Sequence, residues 1–196
     1  MTIKAEATME DLYHAPGKAE IVNGELVLMS PTGGLPGYAG DEIFVSLREY
    51  ERRTGTGWAV GDNKAFRVNL PNRRSLSPDA AFYTGPDPGM RFFDGAPVFA
   101  AEVRSEGDYN VGAEEKIAAK RADYFAAGTL VVWDVDLLSE HPVRVCRASD
   151  PEQPTLYRRG EIAEAEPALP GWTMPVNALF RKPAQEGGAP TSLRAS

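Results

Sequence analysis

The chain has a single cysteine, Cys146, and only two histidines, His14 and His141. One thiol cannot form an internal disulfide or a Cys-based zinc centre, and two imidazoles are too few for a His-rich one. This thiol usage is expected of a reducing cytoplasm. No run approaches the ~18–20 apolar residues of a membrane-spanning helix. The opening MTIKAEATMEDLY lacks an apolar centre and carries Glu6, Glu10 and Asp11, so it does not read as a secretory leader. A G-x-x-x-x-G-K-[ST] phosphate loop, a G-x-S-x-G nucleophile elbow and an H-E-x-x-H zinc helix are all missing. Gly55-Thr56-Gly57 meets its next glycine one residue too late, at Gly61, and follows a helical pattern, so it is no dinucleotide fingerprint. Positive charge is also in deficit: 21 Lys+Arg face 28 Asp+Glu, a formal charge of −7. That balance argues against non-specific coating of nucleic acid and leaves room only for a local basic face.

What is present is ordinary for a globular chain. The 196 residues are 42% hydrophobic and 25% charged, enough for one domain with a sizeable core. Residues 1–181 are expected to form that domain. The polar, Pro- and Gly-containing stretch 182–196 is expected to be a disordered tail.

Thr8 with Asp11 resembles a capping box, predicting a short helix from Met9 to His14. Asn23-Gly24, between the β-prone runs of Glu20–Met29, predicts a hairpin, because both turn positions favour positive φ. Ser30–Gly40, rich in Gly and Pro, reads as a loop. Ile43, Leu47 and Tyr50 lie at i, i+4 and i+7 and predict an amphipathic helix over about Asp41–Arg53. Strands are predicted at Trp58–Val60, Lys64–Leu70, Pro78–Tyr83 and Val98–Arg104. A helix from about Gly112 to Ala127 follows, with Gly128 as its C-cap. Thr129–Val135 is a nearly continuous apolar run, hence a strand buried on both faces. Further strands are predicted at Val143–Cys146, Thr155–Arg158 and Gly160–Ala163, and a short closing helix at Pro175–Phe180. The order is not a regular βα alternation, so a mixed sheet with helices on it is the expected architecture.

Two acids stand out against this background. Glu102 ends an apolar run beginning at Val98, and Asp79 sits beside Ala80, Ala81 and Phe82. A carboxylate in such a strand is partly desolvated and needs a cation partner or a metal. One acid from each of two neighbouring strands would create an oxygen-lined site suited to Mg²⁺ or Mn²⁺. The bland alternative is that both acids pair with Arg104, Lys116 or Lys120 as structural ion pairs. His14 and His141 read as surface residues, Cys146 as a small core residue, the tryptophans as anchors and Tyr124 as core. Between Phe44 and Arg74, seven cations (Arg48, Arg52, Arg53, Lys64, Arg67, Arg73, Arg74) outnumber three acids, so a phosphate-facing surface is one expectation there.

The ordered set Ser77-Pro78-Asp79, Ala101-Glu102-Val103-Arg104-Ser105, Lys120 through Gly128 and Trp133-Asp134-Val135-Asp136 resembles a large bacterial restriction endonuclease family of the PD-(D/E)XK superfamily, expanded in cyanobacteria. The hairpin Glu20–Val27 followed by Met29-Ser30-Pro31 is similar to that family's N-terminal signature, and the likeness spans roughly Met9 to Phe180.

The resemblance implies a restriction-endonuclease-like α/β fold, a central mixed β-sheet flanked by helices, and metal-dependent hydrolysis of DNA phosphodiester bonds. It implies Asp79 and Glu102 as metal ligands with the Val103 carbonyl, and Glu20 as an assisting acid. The superfamily lysine would stand two residues after the glutamate, where this chain has Arg104. A guanidinium stays protonated and makes a poor base. The resemblance implies instead a lysine supplied from the following helix, with Lys120 the matching position and Lys116, one turn earlier, the other candidate. One site per chain favours a two-fold homodimer for cutting both strands. A non-catalytic nucleic-acid-binding or scaffold module on the same fold is the rival reading, and an RNA substrate a third.

Overall fold

The computed structural model describes residues 5–181; the expected tail over 182–196 lies outside them. The chain enters through α1 (Met9–Tyr13), whose Thr8 hydroxyl accepts the Asp11 N–H while the Asp11 carboxylate accepts the Thr8 N–H at 2.7 Å. Strands β1 (Ala19–Val22) and β2 (Glu25–Leu28) pair across Asn23 and Gly24, whose φ values of 49° and 74° are those a two-residue hairpin turn requires.

Helix α2 runs from Gly34 to Thr54, so the expected loop ends earlier than its Gly and Pro content suggests. Pro36 falls in the first turn, where a missing N–H leaves nothing unsatisfied. Ala39 and Gly40 are buried, so packing on the sheet overrides weak local propensity.

The strands that follow are β3 (Trp58–Gly61), β4 (Phe66–Arg67), β5 (Ser75–Leu76), β6 (Ala80–Tyr83), β7 (Phe93–Asp94) and β8 (Phe99–Val103). Helix α3 (Ala113–Ala127) ends on Gly128 at φ 110° and leads into β9 (Val131–Val135). Strands β10 (Val143–Arg147), β11 (Asp150–Tyr157), β12 (Ile162–Glu164) and β13 (Thr173–Pro175) complete the order, and a single 3-10 turn at Val176–Leu179 replaces the expected closing helix.

The central sheet runs β11-β10-β9-β8-β6-β3, with β8 and β9 parallel and every other pair antiparallel. The run expected over Lys64–Leu70 shortens to two residues in a separate small sheet, β5-β4-β7. Strand β11 tolerates Pro151 and Pro154 because it is an edge strand.

Alternation gives the sheet two faces. Ala80, Phe82, Phe99, Ala101, Val131 and Trp133 meet Ile43, Leu47 and Tyr50 of α2 on one face. Ala81, Tyr83, Ala100 and Val132 meet Tyr124 of α3 on the other. Gly57 introduces β3 at φ 62°, and a Cβ there would lie 2.4 Å from the Phe82 ring and 2.7 Å from the Tyr83 carbonyl oxygen. Both atoms belong to the core strand, so neither yields. Gly57→Ala is expected to destabilise by about 1–3 kcal/mol. Thermal melting checks this as a Tm several degrees below the parent.

Candidate functional site

The register that builds the sheet also gathers its charges. Ala80 pairs with Ala101, and the Asp79 N–H donates to the Ala101 carbonyl at 3.1 Å, so Asp79 stands opposite Glu102. Glu102 in turn pairs with Asp134 on β9, and Asp134 with Arg144 on β10. By alternation all four share the face covered by α3. One step from the apolar row Ala81, Ala100 and Val132, that face thus becomes ionic. A cavity of about 750 Å³ opens there, with Lys18, Asp79, Glu102, Lys116, Lys120 and Arg121 in its wall.

Each acid is held from two sides. One Asp79 oxygen accepts Lys18 Nζ at 2.6 Å and the other accepts the Val103 N–H at 2.7 Å. Lys18 Nζ also lies 2.6 Å from Asp62. The Glu102 carboxylate accepts the Tyr124 hydroxyl at 2.5 Å and Lys120 Nζ at 2.8–2.9 Å. Lys120 reaches Glu20 as well, at 3.1 Å. Glu20 is buried, accepts the Ser77 N–H at 2.8 Å and pairs with Arg73, whose Nε donates to Asp123 at 2.7 Å.

Burial pushes the Glu102 carboxyl above the ordinary range; Lys120 pulls it down and Asp79 pushes it further up. Burial works against the Lys120 ammonium, yet the Glu102 and Glu20 carboxylates outweigh it and hold its pKa above that of a free lysine. Burial and the same carboxylates push the Tyr124 hydroxyl well up, so it is a donor. Lys120 is therefore a fixed positive charge between two acids, suited to hold a carboxylate or meet an anion.

Residues 7–177 match the profile of Uma2, a family described as "Putative restriction endonuclease". The chain belongs to the Uma2 family. Membership places it among nucleases in general, with nucleic acid as the class of substrate. No curated protein matches it. Among solved structures, one described as a "putative nuclease belonging to DUF820" from Anabaena variabilis is similar with a TM-score of 0.68, at 15% identity, over 89% of this chain and 97% of that one. At that identity the likeness speaks to the fold, and it matches the expected mixed sheet flanked by helices. Among the described residues no helix is long and apolar enough to cross a membrane.

In this Uma2 chain, Arg104 is engaged away from Glu102. It grips both Asp134 oxygens at 2.8 Å and also pairs with Glu114. Lys116 lines the cavity, is exposed, and has no partner among the described residues. The Val103 N–H is committed to Asp79, while its side chain belongs to the opposite, α2 face. Neither histidine lines the cavity, and Cys146 is fully buried in the sheet. The basic stretch 44–74 is not one surface: Arg73 is buried, Arg48 pairs with Glu51 and Arg67 with Asp94.

Sequence reasoning missed Lys18 and the hydroxyl of Tyr124. Both had a signal. Lys18 precedes Glu20 by two and stands just ahead of β1, where its carbonyl accepts the Met29 N–H at 2.9 Å and continues the hairpin ladder. Lys116, Lys120 and Tyr124 recur every four residues, so the ring that enters the core carries its hydroxyl along the same stripe as the lysines.

The converging donors are carboxylate oxygens, the chemistry of a hard divalent cation. Among the described residues no three His, Cys, Asp or Glu side chains form a ready-made metal cluster. The negative charge of Asp79 and Glu102 is met instead by Lys18 and Lys120, ammonium groups that balance the carboxylates as a cation would. The set fits such an ion on those terms.

Proposed function

We propose that this chain is a divalent-metal-dependent endonuclease that hydrolyses DNA phosphodiester bonds. One observation carries the reading: Asp79 and Glu102 stand opposite each other on adjacent strands and face one cavity, with Lys120 on Glu102. Asp79 and Glu102, with the Val103 carbonyl, would hold Mg²⁺ or Mn²⁺. Such an ion neutralises charge on phosphoryl oxygens and lowers the pKa of bound water. The chain's own groups do the rest. Tyr124 orients Glu102, and Glu20 fixes Lys120 from behind. The Lys120 ammonium faces the charge that develops on the phosphoryl oxygens and helps align the attacking water. A two-fold dimer would bring one site to each strand.

Arg104 favours a second reading. The position where the superfamily lysine would stand carries a guanidinium bound to Asp134, and both site acids already have ammonium partners. A degenerate, nucleic-acid-binding module would look like this.

Two measurements on the purified chain separate the readings. An active site gives Mg²⁺- or Mn²⁺-dependent nicking of supercoiled plasmid, abolished by EDTA, and a Tm that rises with Mn²⁺. A degenerate module gives neither and still retains DNA. Matched RNA in the same digestion tests the substrate: cleavage of RNA with intact DNA would overturn the DNA assignment.

A further inference from the structure

We infer that Arg121 and Arg144, with Lys116 on the cavity wall that Arg121 shares, bind a backbone phosphate of the substrate next to the scissile one. This rests on the nuclease reading and extends it along the sheet. Asp134 is approached by three arginines, and Arg104 alone satisfies it, taking both oxygens at 2.8 Å. Arg121 and Arg144 ion-pair with it at 3.6 Å, just beyond hydrogen-bond distance. Arg121 Nη1 is buried with no hydrogen-bond partner. Structures rarely leave a buried guanidinium donor without an acceptor unless something else supplies one.

The neighbouring acids are already engaged. Glu114 is held by Arg104, Asp136 accepts the Tyr109 hydroxyl at 2.7 Å, and Asp108 accepts the Ser105 N–H at 2.7 Å. What is left without a hydrogen-bond acceptor is cationic: Arg121 Nη1, the Lys116 ammonium on the same cavity wall, and the Arg144 side chain, ion-paired with Asp134 and 39% exposed on the next strand. A guanidinium fork matches two phosphate oxygens.

The placement follows the register. Asp134 and Arg144 lie one and two strands beyond Glu102, roughly 5 and 10 Å across the sheet. A nucleic-acid strand carries about one charge per 3.4 Å of its axis, so more than one phosphate falls within that span. A strand crossing the sheet end from β6 towards β10 would thus place one phosphate at Asp79 and Glu102 and a neighbour at Arg121 and Arg144.

The test is fluorescence anisotropy of a labelled DNA duplex bound to the full chain in EDTA, which blocks the proposed cleavage. Arg121→Gln and Arg144→Gln are compared with Arg52→Gln, an exposed cation in the last turn of α2. Each of the first two is expected to weaken binding about three- to tenfold at ~0.1 M salt, equally across sequences. Each should also flatten the log K against log salt slope by about 1. Arg52→Gln should change neither. Arg144→Gln alone decides the matter if Arg121→Gln lowers the Tm. Equal losses in all three variants, or none in Arg121→Gln and Arg144→Gln, overturn the subsite while leaving the nuclease reading intact. No binding by the parent chain overturns both. A Tm rise with inorganic phosphate, lost in Arg121→Gln without change in DNA affinity, would mark a free-phosphate site and overturn the backbone assignment.

Discussion

Asn in place of Asp79 is expected to lower metal-dependent cleavage by about a thousandfold, the several kcal/mol that a well-held cation contributes at a phosphoryl group. The same change should remove most of the Mn²⁺-induced rise in Tm. An amide oxygen can still accept the Val103 N–H, which now goes to Asp79 at 2.7 Å, so the end of the β6–β8 ladder stays closed. Lys18 loses one carboxylate but keeps Asp62 at 2.6 Å. Its ammonium is destabilised by burial and stabilised by Asp79, Glu102 and Asp62, whose sum holds its pKa above the ordinary lysine value. The variant should therefore fold, with a Tm in EDTA within a few degrees of the parent, and fail only when metal is added. Nicking rate and Tm with and without Mn²⁺ check both halves. Unchanged nicking would sink the assignment of Asp79, and a Tm collapse in EDTA would make Asp79 a structural partner of Lys18 instead.

How much of this was legible in the sequence varies with the kind of information each piece needs. Local rules wrote the hairpin at Asn23-Gly24, the α1 cap at Thr8 and Asp11, and the end of α3 at Gly128, because each depends on backbone geometry at one or two residues. The start of α2 was hidden, since Gly34, Gly37 and Gly40 are poor helix formers and only packing against the sheet makes the segment helical. The acids were visible as charges in apolar runs. Lys120 was among the partners expected for them; Lys18 was not, because it and Asp79 lie far apart in the chain and only the folded topology unites them. Arg104 shows the same limit from the other side: its place two residues after Glu102 suggested a motif position, and a partner on β9 decided its role.

Lys120→Met should be the most destabilising single change at this site, and the loss should depend on pH. The substitution keeps the stem's bulk and removes a charge that Glu102 and Glu20 both contact. Breaking a buried pair from one side leaves an uncompensated carboxylate, at about 3–5 kcal/mol near neutrality, or a Tm fall of roughly 6–20 °C. Glu102 sets the pH window. Its carboxyl already sits above the ordinary 4.5, pushed up by burial and restrained chiefly by Lys120; without that ammonium it climbs further. A carboxyl whose folded pKa is raised favours the folded state fully below its unfolded value, and the advantage drains away as pH rises through the folded pKa. The Tm gap between parent and variant should therefore be small near pH 4.5 and widen towards pH 8. Lys120's own titration adds nothing there, because its raised pKa confines that loss to pH above the ordinary lysine value of 10.5. Glu102→Gln in the Lys120→Met background should restore part of the stability and flatten the gap, since it removes the stranded charge. Lys116→Met, which breaks no contact among the described residues, should leave the Tm unchanged at every pH and reduce nicking far less than Lys120→Met. A Lys120→Met gap that stays constant from pH 4.5 to 8 would mean that Lys120 does not hold an ionised Glu102. Greater loss of nicking in Lys116→Met would move the cationic role one turn back along α3.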